Sequence, residues 1–236
     1  TRITSYTYYS NTTDPSGNLV LGRLQQIDGP RTDVTDTTDF AYDANLDLTT
    51  VTNALGQVST ITTRDAAGRP TEIEDANNVE TDLAYDTNGR LQSSTVAPGT
   101  ALEAETAYAY DDNGNLTKVT LPNAVFMEYS YDSAQRLTGM EDSSANTATY
   151  TLNDAGNSTQ EDIKNSGAVL KYTHSQVFDE LARLLQSIGA AAQTSNTAYD
   201  KNSNVTTYTD PDTNATGYAY DALQRLVDTT DALTGV

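Results

Sequence analysis

Apolar and polar residues alternate along most of the chain in short runs, and turn-forming residues separate these runs. Within residues 116–137, the runs LTKVTL and VFMEYSY both alternate, and Pro122 opens the turn between them. Alternation with a period of two is typical of a β-strand that buries one face. Tyr129 and Tyr131 then lie on the same face of the second strand. The pattern predicts two antiparallel strands and two short turns in each such segment.

A short motif, usually Tyr-Asp at the start of a turn, recurs along the chain at a nearly fixed spacing. Its second position falls at nine sites, which are separated by 22, 21, 25, 21, 21, 26, 21 and 21 residues. A period of this length is the signature of a repeat architecture. The motif residues are Tyr42, Asp43, Asp65, Gly68, Tyr85, Asp86, Gly89, Tyr110, Asp111, Gly114, Tyr131, Asp132, Asn153, Gly156, Phe178, Asp179, Tyr199, Asp200, Tyr220 and Asp221.

The motif residues predict a structural role rather than a chemical one. An Asp at the start of a turn accepts a hydrogen bond from the backbone N–H two residues later. A Gly three residues after the Asp supplies a positive φ without steric cost. Where Gly is missing, the motif predicts a different turn type or a strained one. If the hairpins stack side by side, the tyrosines become aromatic neighbours across strands. The residues that replace Gly are Leu46, Gln135, Ala182, Ser203 and Gln224.

This pattern resembles the RHS repeat, or YD repeat, of bacterial RHS and Tc-toxin shell proteins and of animal teneurins. The resemblance covers roughly residues 40–236. In that family the repeats wind into a large hollow shell. The resemblance therefore implies a non-catalytic scaffold, a wall segment of an encapsulating shell that sequesters a toxin or other polymorphic domain.

The predicted fold class is all-β, a spiralling antiparallel sheet of about nine two-stranded units of 21 residues. Residues 40–236 form the repeat array, and residues 1–39 form divergent first strands or a divergent repeat. In that first part, residues 14–18 predict a turn and the run from Leu19 predicts a strand. Both ends are interpreted as cut from a longer chain, so that the open sheet edges pair with the rest of the polypeptide or with neighbouring copies.

A second hypothesis assigns the array to an extracellular surface fibre or adhesive element. Its Tyr-, Asn- and Thr-rich faces would then bind glycans or neighbouring chains. Curvature separates the two hypotheses, because a shell wall curves around a cavity and a fibre keeps a constant rise in each unit. Specific function is expected where the repeat is interrupted, at residues 93–107 and 161–174, or in the sequence beyond the two ends. A short helix is the local alternative after Phe178, but the 21-residue register favours two strands there.

Composition restricts the partners of the chain. The formal net charge of −20 argues against nucleic acid, which requires a basic face, and against insertion into an anionic membrane surface. The sequence contains no run of 18 apolar residues that would suggest a membrane-spanning helix. The absence of cysteine excludes disulfides, thiolate catalysis and cysteine-bound zinc within this sequence. The hydrophobic content of 36% predicts a thin core, and the acidic, Asn- and Thr-rich surface suggests a secreted or cell-surface bacterial protein.

Candidate chemistry in the sequence is weak. The single histidine, His174, is predicted to be a solvated strand residue, and no catalytic residue is assigned. Acidic or amide residues occupy positions 1, 3, 5 and 12 of a possible calcium loop, which predicts a calcium site there. The four residues of this loop are Asp210, Asp212, Asn214 and Asp221. No other cofactor is expected. Glycosylation sequons begin at Asn11, Asn157, Asn204 and Asn214.

Overall fold

The computed structural model describes residues 3–10, 13, 17 and 20–232. Twenty β-strands account for its regular structure, and the paired strands run antiparallel. The predicted all-β repeat sheet is therefore confirmed. None of the described residues belongs to a helix that is long and apolar enough to cross a membrane.

The chain divides into two compact units, residues 1–108 with 120–124 and residues 109–119 with 125–236. In the first unit, every strand pairs with the next strand along the chain. Its strands, the last of which extends two residues into the second unit, are β1 (Ser5–Tyr8), β2 (Leu24–Asp28), β3 (Thr37–Tyr42), β4 (Leu48–Asn53), β5 (Val58–Arg64), β6 (Pro70–Glu74), β7 (Glu80–Tyr85), β8 (Leu91–Val96) and β9 (Ala104–Tyr110).

The second unit follows the same rule, and β11 to β20 pair in chain order. Its strands are β10 (Leu116–Thr120), β11 (Phe126–Tyr131), β12 (Leu137–Asp142), β13 (Thr147–Leu152), β14 (Ser158–Lys164), β15 (Leu170–Phe178), β16 (Leu184–Ile188), β17 (Thr194–Tyr199), β18 (Val205–Thr209), β19 (Ala215–Tyr220) and β20 (Leu226–Thr230). The eighteen strands β3 to β20 correspond to the two strands predicted for each of the nine repeats.

The sheet buries little, as the low hydrophobic content predicts. Among the described residues, Val20 is the hydrophobic side chain that is fully enclosed. Many strands are half-buried at nearly every position, as β3 and β6 are, whereas β7 alternates between exposed and half-buried positions along its whole length. Stability in such an array depends on contacts between neighbouring repeats rather than on a central core.

The first strands differ from the prediction. The strand expected from Leu19 begins at Leu24, because a turn that includes the hydrogen bond from Arg23 N to Val20 O (2.9 Å) precedes it. The turn predicted at residues 14–18 lies outside the described residues except for Gly17. The proposed boundary between residues 39 and 40 stays a prediction.

The two interruptions of the repeat have different structures. Residues 97–103 form an enlarged loop between β8 and β9, in which Gly99 N donates to a carboxylate oxygen of Glu103 (2.7 Å). The second interruption lengthens its hairpin instead, because β14 has 7 residues, β15 has 9, and the turn between them remains short. After Phe178 the chain forms β16, which confirms the strand prediction over the helical alternative.

Candidate functional site

The most repeated feature of the molecule is the turn at the YD motif. At Asp86, the backbone N–H donates to Arg90 O and Gly89 N donates back to Asp86 O, both at 2.9 Å. The Asp86 side chain completes the turn, because its Oδ1 accepts from Asn88 N and Arg90 N, each at 2.9 Å. This is a three-residue hairpin loop, a type I turn followed by a left-handed residue. The predicted Asx turn is confirmed here, with an additional bond to the fourth residue.

The same double acceptor recurs throughout both units. Each of these Asp residues accepts from the backbone N–H groups two and four residues later, at Asp43, Asp65, Asp111, Asp132, Asp179, Asp200 and Asp221. Asn153 uses its amide oxygen in the same way, accepting from Asn157 N at 2.9 Å. The motif therefore specifies local backbone geometry.

Sequence reasoning missed that the opposite turn of the hairpin uses the same device. Asn53, Asp75 and Asp142 each accept from the backbone N–H groups two and four residues later. Each follows a motif Asp by ten residues, and this spacing is the signal in the sequence that indicates the second turn. Turns of this type can therefore recur twice in each 21-residue repeat, once at the motif and once at the other end of the hairpin.

The positions that lack Gly adopt the same turn as those that have it. Gly89 has a φ of 84° and Gly68 one of 80°. The prediction of another turn type is therefore wrong, and the prediction of strain applies, since a left-handed residue with a Cβ costs about 1–2 kcal/mol. The φ values at these positions are 68° at Leu46, 63° at Gln135, 60° at Ala182, 69° at Ser203 and 63° at Gln224.

A cation or an amide at the fifth turn position completes the Asp environment. Arg136 Nε donates to Asp132 Oδ2 at 2.7 Å, and Asn204 Nδ2 makes the equivalent bond to Asp200 at 2.8 Å. The Arg136 side chain first, and then the backbone N–H groups of Arg136 and Ala134, lower the pKa of Asp132. Asp200 shows a lowered pKa for the same reason, with Asn204 as the main cause. These carboxylates are committed to structure.

The motif tyrosines bridge strands through their hydroxyl groups. Tyr85 Oη donates to Pro70 O, Tyr131 Oη to Leu116 O and Tyr199 Oη to Leu184 O, each at 2.9 Å. Each carbonyl belongs to the first residue of the preceding strand. The copy that begins with an arginine keeps the interaction, because the Arg64 guanidinium donates to Leu48 O, the corresponding carbonyl.

Arginine side chains link one repeat to the next. Arg69 lies over the ring of Tyr85 at 4.4 Å, and Arg183 over that of Tyr199 at 4.6 Å. Arg183 Nη1 also donates to Asp200 O at 3.1 Å, in the next turn. The predicted aromatic ladder is wrong at Tyr85 and Tyr199, because an arginine covers a ring face of each tyrosine. The preceding motif copies begin with Arg64 and Phe178 and lie two strands away, about 10 Å. Tyr42 does have an aromatic neighbour, Tyr9, at 6.3 Å.

The residues of the candidate calcium loop do not come together. Both carboxylate oxygens of Asp210 accept from Asn214, at 2.8 and 2.9 Å. Asp221 lies at the other end of β19 and pairs with Arg225. Asp212, which donates its backbone N–H to Asp210, belongs to the first turn alone. Within the described residues, no group of three or more His, Cys, Asp or Glu side chains is arranged to hold a metal ion.

The single histidine is not simply solvated. His174 Nε2 lies 2.7 Å from Ser187 Oγ, and His174 pairs with Glu161 in the register of β14 and β15. Ser187 lies in the middle of β16, which pairs with β15 on one side and with β17 on the other. Backbone N–H groups there belong to the sheet ladder, whereas acyl transfer needs such donors aimed at an oxyanion. The His174–Ser187 hydrogen bond is therefore interpreted as a cross-strand contact.

Two of the predicted glycosylation sequons use their amide nitrogen in a turn. Asn204 Nδ2 donates to Asp200 and Asn214 Nδ2 to Asp210. Asn157 Nδ2 is enclosed by protein. Attachment of a glycan to any of these three nitrogens would disrupt the folded turn. Asn11 lies outside the described residues.

Two family models match the chain. The teneurin YD-shell model matches residues 19–160, more than half of the sequence, and the RHS repeat model matches residues 199–236. The chain belongs to the teneurin YD-shell family. The repeated turns and the arginine contacts between them are thus features of a YD-shell repeat array. No curated protein sequence matches the chain.

Solved structures show the same fold. A crystal structure of TcdB2–TccC3 covers 98% of this chain at 15% identity, with a TM-score of 0.53. The Tc holotoxin pore of Photorhabdus luminescens covers 98% at 14% identity, with a TM-score of 0.52. This YD-shell chain spans 14% of the length of each of those chains.

Proposed function

We propose that this chain is a non-catalytic wall segment of an RHS-type encapsulating shell, which sequesters a toxin or other polymorphic domain of the same polypeptide. The observation that carries the proposal is the similarity of 98% of the chain to TcdB2–TccC3, together with membership of the YD-shell family. The chain spans 14% of that protein chain, and we propose it as one part of such a shell.

The use of side chains in the array supports a scaffold. Motif carboxylates such as Asp86 and Asp132 have a lowered pKa because they accept hydrogen bonds within their own turns. A general acid at neutral pH needs a raised pKa instead. The use of these carboxylates within the turns therefore supports a structural role for the motif.

The partners that fit this role are other parts of the same shell. Antiparallel pairing of consecutive strands continues through each unit, so adjoining repeats extend the same pattern. We place the protein outside the cell or at its surface, in keeping with the net charge of −20, which keeps such a large polar surface soluble. Glycan binding and a calcium ion elsewhere on the acidic surface stay predictions.

Limited proteolysis of the natural full-length polypeptide tests the proposal. The domain that joins the repeat array is expected to resist protease while the array is folded. It should be cut rapidly after the array is unfolded or when the same domain is expressed alone. Equal rates of cleavage of the domain in the full-length protein and alone would overturn the shell function. End-to-end polymers in electron micrographs would favour the fibre instead.

A further inference from the structure

A polar cavity of about 480 Å³ lies in the first unit, between the turns that begin at Asp43 and Asp65. Asp47, Arg64 and Gly68 also line it. Its volume is within the range of small-ligand sites, which begins at about 300 Å³. It occupies the place where one motif turn faces the next, and in the following repeat this place holds the guanidinium of Arg69.

The next repeat shows what normally fills this space. Arg69 Nε donates to Asp65 Oδ2 at 2.7 Å, and its guanidinium lies over Tyr85. A Cβ added to Gly89 would lie 2.6 Å from Arg69 Nη1. At Gly68, the corresponding glycine of the cavity, an added Cβ would meet no atom within 4 Å. The cavity is therefore the space of a missing guanidinium.

The charges around the cavity follow from one exchange in the sequence. The fifth position of the first turn is Asp47, where five other turns have an arginine paired with the Asp. Asp43 Oδ1 accepts from the backbone N–H of Asn45 and of Asp47. In the arginine-bearing turns the second oxygen of the corresponding Asp accepts from a guanidinium.

The charged groups around the cavity have an excess of one negative charge, which one bound cation would neutralise. The Arg64 guanidinium on the wall donates to Gly68 O (2.9 Å) and to Leu48 O. Asp65 is neutralised by its own Arg69. Asp43, Asp47 and Arg64 together carry a net charge of −1. The carboxylates of Asp43 and Asp47 are only four positions apart in the sequence.

We propose that this cavity binds the arginine side chain of a separate polypeptide. The guest guanidinium would pair with Asp43 and Asp47 as Arg69 pairs with Asp65, since a planar guanidinium matches carboxylate oxygens better than an ammonium does. The net charge of −20 disfavours a second copy of this chain as the partner and favours a basic one. The inference concerns docking and does not depend on the shell function.

Amide NMR of the intact chain with N-acetylarginine amide as the probe tests this site. Saturable shifts are expected at the Asn45, Asp47 and Gly68 amides, with a dissociation constant on the order of 1 mM because a single half-exposed ion pair binds weakly. The citrulline analogue, which is neutral and of similar shape, should cause no shift. Asp47→Arg restores the arginine of the repeat and should abolish binding while it raises the melting temperature, so loss of binding cannot be ascribed to unfolding.

Four results would overturn the proposal. The first is the absence of a saturable shift in the wild type, and the second is unchanged binding in Asp47→Arg. The third is a response of the same amides to Ca²⁺ alone, which would identify a metal site. Concentration-dependent self-association that Asp47→Arg removes would show that the partner is another copy and contradict the choice of a separate polypeptide.

Discussion

At the scale of the residue, the fourth position of each motif turn determines local strain. The backbone is left-handed at this position whether or not the residue is Gly. Gly68 has a φ of 80° and Gln135 one of 63°, in otherwise equivalent turns. The hydrogen bonds of the turn therefore override the preference of the individual residue. Residues with a Cβ are tolerated there at an energetic cost.

Replacing Gln135 by Gly should stabilise the protein. The change removes a left-handed Cβ that costs about 1–2 kcal/mol, and it adds about 0.5–1 kcal/mol of backbone entropy cost, which leaves a net gain of about 0.5 kcal/mol. Urea unfolding measures the difference. Gln135→Ala is the matched control and should be close to neutral, since Ala keeps the Cβ. A loss of stability in Gln135→Gly would contradict the account.

The Asp of the motif acts on the backbone around it. Asp132 Oδ1 accepts from Ala134 N at 2.9 Å and from Arg136 N at 3.0 Å, while Oδ2 takes the Arg136 side chain. Three donors thus depend on one side chain. An amide oxygen at this position supports the same backbone, as Asn153 shows.

Asp132→Ala should lower the melting temperature by a few degrees, the scale expected when one half-buried and one exposed backbone donor lose their acceptor in a domain of this size. Asp132→Asn should have a smaller effect because the amide oxygen remains. Glu128→Ala serves as the control, since Glu128 makes one half-exposed ion pair with Lys118. The turn account fails if the Glu128 variant melts at a lower temperature than the Asp132→Ala variant.

At the scale of the element, hairpins are joined by tyrosine hydroxyls and arginine stacks. Tyr199 donates to Leu184 O in the preceding strand, and Arg183 lies over its ring and reaches the next turn at Asp200. Each repeat is thus connected to its neighbour at the motif edge. Such nearest-neighbour contacts are the source of stability in repeat proteins.

Tyr199→Phe removes the hydroxyl bond and leaves the ring in place for Arg183. We expect it to lower the free energy of unfolding by about 1 kcal/mol, the net contribution of one hydrogen bond. Chemical denaturation provides the measurement, with Tyr208→Phe as the matched control because Tyr208 is 39% exposed and lies in mid-strand. Equal effects of the two substitutions would show that the hydroxyl of Tyr199 does not hold the strands together.

The sequence predicted the hairpins well because their signals are local. Alternation and the regular Asp positions define both strands and the motif turn, even at Phe178, where leucines at helical spacing suggested a helix. Sequence reasoning failed for contacts between strands. The partner of Tyr85 is Arg69, 16 residues earlier, and neither its stacking nor the Pro70 carbonyl bond follows from the alternation of residues.

At the scale of the whole molecule, the array depends on ionised aspartates. Hydrogen bonds in the turns lower the pKa of ten of these carboxyls, as they do for Asp132. A carboxyl group whose pKa is lowered by folding stabilises the folded state at every pH above its pKa in the unfolded chain, which is near 3.9. That contribution disappears as the pH falls through the pKa of the folded state. The ten are Asp65, Asp75, Asp86, Asp111, Asp132, Asp142, Asp179, Asp200, Asp210 and Asp221.

Stability should therefore be nearly constant from about pH 7 to pH 5 and fall steeply below about pH 4. Acid also relieves repulsion among the 33 acidic residues, but salt screens those exposed charges, whereas the turn bonds are direct contacts. Urea midpoints measured across this range provide the check. In Asp132→Asn, the urea midpoint should fall slightly less between about pH 5 and pH 3 than in the wild type. Midpoints that rise below pH 4 would show that repulsion, not turn bonding, dominates.

The path of this segment in the intact polypeptide distinguishes a shell wall from a fibre. Cryo-electron microscopy of the full-length protein measures the path of this segment and what lies beside it. We expect the repeats to form part of a curved wall, with one sheet face towards a closed cavity that holds density for another domain of the polypeptide. Straight repeats stacked end to end, with solvent on both faces, would contradict the account and establish the fibre in its place.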